Sequence, residues 1–102
     1  MQQERESAMA KECRIKCELS AGLFGDEVVA RIKAFGSDRK VGIVSVIVSR
    51  DNVSFGRHSS KQGTLRAYCM QEGGRVAAVV LPQASVENGQ SVLVPKSQIV
   101  RR

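Results

Sequence analysis

The chain has 102 residues, 42% of them apolar, and carries 16 Lys/Arg against 10 Asp/Glu for a net charge of +6. That length suits one domain whose modest core needs neither disulfides nor a metal, and the apolar fraction excludes wholesale disorder. No window reaches the roughly 18 apolar residues of a membrane span, and residues 1–6, Met-Gln-Gln-Glu-Arg-Glu, lack the apolar run of a secretory leader. The expected setting is therefore the cytoplasm, with no membrane partner and with Cys13, Cys17 and Cys69 as reduced thiols.

The charge is unevenly spread. Residues 1–27 hold four Lys/Arg and six Asp/Glu, whereas residues 28–71 hold eight Lys/Arg and only Asp38 and Asp51. Such a bias raises the expectation of a polyanionic partner, nucleic acid first, against the plainer alternative of a surface that is merely basic.

Residues 1–12 are polar and too short to hold a helix alone, which makes them a tail ahead of a single domain over residues 13–102. Met9 is an alternative start, with the first eight residues an extension. From Cys13 the period becomes two. Cys13, Ile15, Cys17 and Leu19 alternate with Arg14, Lys16 and Glu18, the pattern of a half-buried strand. Turn formers fill residues 20–26, and Val28, Ala30, Ile32 and Ala34 then alternate with Arg31 and Lys33 in a second strand. After a turn at residues 36–40, residues 41–48 read Val-Gly-Ile-Val-Ser-Val-Ile-Val. A short β-branched run of this kind predicts a strand covered on both faces. It suits a barrel interior plus a self-association surface at Ile43 and Ile47, or equally a central strand overlaid by a loop or the tail.

Residues 49–63 form the longest polar stretch, in which residues 52–55 extend the strand and residues 56–63 make a tip. Glu72-Gly73-Gly74 and Asn88-Gly89 mark two hairpins. Short strands at even spacing, punctuated by glycine turns, predict a mainly β fold: a small barrel of five or six antiparallel strands.

The chain ends Val92-Leu93-Val94-Pro95-Lys96-Ser97-Gln98-Ile99-Val100. This segment resembles the close of an SH3-like barrel, where a strand meets proline, makes one 3₁₀ turn and resumes with an apolar pair. The resemblance covers about nine residues and implies an SH3-like barrel. Peptide-binding SH3 domains hold polyproline on aromatic ridges. This chain has no such cluster, and Ser97-Gln98 stands where those domains carry groove residues, so the polyproline function is not implied.

Arg14, Lys16, Arg31 and Lys33 fall on one outer face if the first two strands pair as a hairpin. Setting Ile15 opposite Ile32 places Arg14 against Lys33 and Lys16 against Arg31. Like charges directly opposite cost up to about 1 kcal/mol per pair, a cost that a phosphate backbone across the face offsets. The plainer alternatives are splaying into solvent and neutralisation by Glu18 or by tail carboxylates. Arg50, Arg57, His58 and Lys61 are loop cations placed to support the same ligand. Only Tyr68 and Phe55 are available for stacking, which favours backbone or duplex contact over single-stranded bases.

Cys13, Cys17, Cys69 and His58 would suffice for zinc by number, but Cys-x-x-x-Cys in a strand holds its thiols roughly 13 Å apart at about 3.3 Å per residue. No metal or other cofactor is expected, and the cysteines read as small buried apolar residues. His58, Asp51 and the nearby serines carry no spacing that assembles a triad, and no nucleophile elbow, paired-carboxylate or phosphate-loop motif occurs. The sequence thus leads to a non-catalytic module binding a polyanion. The alternative is an interaction or assembly subunit, such as a homo-oligomer, docking through residues 41–48.

Overall fold

Alternation of apolar and polar residues organises the chain from Lys11 onward. The structure, a computed structural model, describes residues 11–56 and 61–100. These form β1 (Lys11–Ala21), β2 (Glu27–Phe35), β3 (Val41–Ser49), β4 (Val53–Phe55), β5 (Gln62–Gly73), β6 (Val76–Ser85), β7 (Gly89–Pro95) and β8 (Ile99–Val100). All pairings are antiparallel, in the order β3-β2-β1-β5-β6-β7, with β4 added to β5 and β8 to β1. The eight strands exceed the five or six expected because β4 and β8 are short continuations of β3 and β7, each resumed after one 3₁₀ turn.

Those two 3₁₀ turns nearly close the sheet into a barrel. Arg50–Asn52 carries the chain from β3 to the free side of β5, where Val53 pairs with Leu65. Lys96–Gln98 carries it from β7 back to β1, where Ile99 pairs with Ile15. The strand, proline, 3₁₀ turn and apolar pair read from the last residues are all present, and the architecture is compatible with an SH3-like barrel.

Inside lie Ile15, Ile32, Leu65, Leu81, Val46 and Val79 with their inward neighbours, an aliphatic set that contains no aromatic ring. Burying each such side chain contributes about 1.5–3 kcal/mol. Among the described residues of this single chain, β3 is covered on one face only. Val44, Val46 and Val48 are buried, whereas Ile43 and Ile47 remain 55% and 47% exposed. Among the described residues the open edge of β3 is occupied at one point: the Ser45 carbonyl accepts a hydrogen bond from the Val86 N–H (2.8 Å), and Ser45 donates its own N–H to the Glu87 carboxylate (2.8 Å). The β6–β7 turn thereby covers part of an edge that would otherwise recruit another strand.

Gly63 lies at a close crossing of strands. It pairs with Cys17 on one side and Phe55 on the other, and a Cβ there would collide with the Ser54 carbonyl and crowd a Leu19 methyl. Gly42 on β3 has nothing within 4 Å of the same position. Gly63→Ala is expected to destabilise the fold by about 2–3 kcal/mol in urea unfolding, and Gly42→Ala to change it by no more than about 1 kcal/mol, toward stability.

Candidate nucleic-acid interface

The outer face of β1, β2 and β5 collects the cations, in a register different from the expected one. β1 and β2 pair as Glu18–Arg31, Leu19–Ala30, Ser20–Val29 and Ala21–Val28. This is two residues away from the register that sets Ile15 opposite Ile32. A two-residue shift leaves every side chain on its face, so Arg14, Lys16, Arg31 and Lys33 all stay on the outer surface, but the like-charge pairs across β1 and β2 do not form. Arg31 lies opposite Glu18 and leans away from Lys16, donating to the Ser20 hydroxyl at 3.0 Å. Lys33 lies opposite Ile43 on β3.

A like-charge pair does exist, on the other side of β1. β5 runs antiparallel to β1 and sets Arg66 directly opposite Arg14, with Lys16 opposite Thr64. Arg14 donates to the Ser54 hydroxyl at 3.3 Å, and Arg66 donates to the Asn52 side-chain oxygen at 3.0 Å. Both partners are neutral: Asn52 lies in the 3₁₀ turn between β3 and β4, and Ser54 lies in β4. Among the described residues no carboxylate lies within ion-pairing distance of Arg14, Lys16, Arg31, Lys33 or Arg66, and the ion pair Lys96–Glu72 (3.5 Å) involves none of them. The two guanidiniums are therefore oriented without being neutralised. Reading the sequence overlooked Arg66. The alternation of Leu65, Ala67 and Cys69 marks it as outward-facing, but nothing local says that β5 lies beside β1.

The expected loop cations divide. Arg50 holds the β1–β2 loop, donating from Nε to the Gly25 carbonyl at 2.9 Å, and its guanidinium sits 5.9 Å from the Phe55 ring centroid. It braces the fold as well as adding charge. Lys61 is exposed, and its carbonyl accepts from the Leu19 N–H at 2.6 Å. Arg57 and His58 lie outside the described residues. Ile43 and Ile47, the candidate assembly residues, share the outer face of β3 with Val41, next to Lys33 and Val29 of β2.

Cys17 and Cys69 are buried, and Cys13 packs against the core. Burial pushes the Cys17 thiol up to about 11, so it stays protonated and a poor nucleophile at neutral pH. Among the described residues no group of three or more His, Cys, Asp or Glu is placed to hold a metal ion, and no helix is long and apolar enough to cross a membrane.

No family model, curated protein or solved structure matches this chain.

Proposed function

We propose that the chain is a non-catalytic binding module whose basic outer face holds an anionic polymer, nucleic acid first, on a small barrel of the SH3-like kind acting in the cytoplasm. The observation that carries this reading is the Arg14–Arg66 pair. Two guanidiniums directly across a ladder repel each other, and a stability-optimised sheet would set a carboxylate against one of them. Here both are steered by neutral oxygens, with Lys16 beside them on the same face. That arrangement leaves their remaining N–H donors for phosphate oxygens, which guanidinium recognises in bidentate fashion. Arg31 and Lys33 extend the positive surface on β2, Arg50 and Lys61 add charge from the connections flanking β4, and Arg57, outside the described residues, adds to the net charge.

Fluorescence anisotropy on labelled oligonucleotides tests the proposal. Affinity is expected to fall steeply between about 50 and 200 mM salt. Arg66→Gln should weaken binding and lower the slope of log K against log salt by about 0.7–0.9 per phosphate contact removed. Arg75→Gln, an equal change in net charge on the β5–β6 turn, should leave that slope near its starting value. Absence of binding at low salt, or equal effects of the two substitutions, contradicts a defined interface.

A second reading, assembly through β3, is favoured by the outward column of Val41, Ile43 and Ile47 beside an edge that, among the described residues, is hydrogen-bonded at Ser45 alone. On that reading light scattering finds a dimer or larger species that Ile43→Lys converts to monomer. A monomeric parent protein removes its support as a homo-oligomer.

A further inference from the structure

We infer that the polymer is single-stranded and that Tyr68 stacks against one of its bases, an inference that rests on the polyanion reading above. Rings usually enter a core, where their area contributes most. This core holds none, and Phe24, Phe55 and Tyr68 are 67%, 43% and 44% exposed. Counting rings in the sequence argues against base stacking, but their placement argues for it.

Phe35 is half-buried at the end of β2, and the three exposed rings are not equivalent. Arg50 lies over Phe55. Phe24 is on the β1–β2 loop, away from the Arg14–Arg66 pair. Tyr68 stands on the outer face of β5 two residues beyond Arg66, about 6.6 Å along the strand at about 3.3 Å per residue. It is also the diagonal neighbour of Arg14 across the ladder, within reach of long side chains. Among the described residues its hydroxyl makes no hydrogen bond and no cation covers its ring. On the β6 side it pairs with Val80, an apolar flank.

Two further features separate where a phosphate and a base would go. Glu12 lies directly opposite Tyr68. Its carboxylate repels phosphate from the ring and accepts hydrogen bonds from base N–H groups, so the backbone is directed toward Arg14 and Arg66 and the base toward Tyr68. The ladder between β5 and β6 then shifts register between Cys69 and Gln71. This bulge adds Met70, 45% exposed, two residues after Tyr68; bulges of this kind re-aim side chains beside binding sites. A base inside a duplex offers no free face to a side-chain ring, so a stacking Tyr68 requires unpaired bases.

Tyr68 is the sole tyrosine and the chain has no tryptophan, so tyrosine emission reports on this ring alone. The experiment titrates the full chain with a thymidine oligodeoxynucleotide of about 12 nucleotides and with a duplex of equal length, following emission and anisotropy together. The expected result is saturable quenching by the single strand and weaker binding of the duplex. Tyr68→Ala should lose about 5- to 100-fold in affinity for the single strand, and Tyr68→Phe should keep most of it. Binding without quenching, a preference for the duplex, or an unchanged affinity in Tyr68→Ala overturns the stacking inference and leaves the polyanion reading standing. Failure of both polymers to bind at low salt overturns the polyanion reading itself.

Discussion

β1 and β5 are paired over residues 11–18 against 62–69, and each is bonded on its other edge as well. β1 meets β8 at residues 14–15 and β2 from residue 18 onward, while β5 meets β4 at residues 63–65 and β6 from residue 68 onward. Every other strand is hung, directly or through one neighbour, on this central ladder. Because each of the two strands changes partners along its length, the sheet bends round instead of continuing flat, and Ile15 and Leu65 face each other at the centre of the core. The same ladder makes Gly63 obligatory, since the chain there is closely packed between β1 and β4.

The ladder also decides what the outer face looks like. A residue pair that is inward in one row is followed by an outward pair in the next. Ile15–Leu65 in the core therefore implies Arg14–Arg66 outside, with Glu12–Tyr68 two rows further on. The core and the candidate interface are thus two consequences of one register. Side chains that hold the barrel together contribute through burial. The cations outside contribute little to folding and sit where mutual repulsion opposes it, and a polyanion bound across them would offset that repulsion.

Much of this was legible in the residues. Alternation identified which side chains point inward along the strands and placed Arg14, Lys16, Arg31 and Lys33 outside, and the hairpins at Gly74 and Gly89 both have the positive φ that favours glycine. Register was not legible, for a physical reason. Sliding β1 against β2 by two residues preserves both faces, so the hydrophobic pattern cannot tell one pairing from the other. The choice is made by the loop, where Gly22 N–H bonds to the Glu27 carbonyl and Glu27 N–H to the Phe24 carbonyl, drawing Ala21 level with Val28. The meeting of Arg14 with Arg66 lay further out of reach. These residues are far apart in the chain and share no turn, and only the closure of the barrel sets β5 beside β1.

Arg14 and Arg66 are held against each other unneutralised, a cost to the free protein. A double-mutant cycle measures this directly, with Arg14→Gln and Arg66→Gln made singly and together and unfolded in urea at low and high salt. The expected coupling is repulsive, about 0.5–1 kcal/mol at low salt, and shrinks as salt screens it. A favourable coupling, or none at low salt, would contradict it and return these residues to the role of ordinary surface charge.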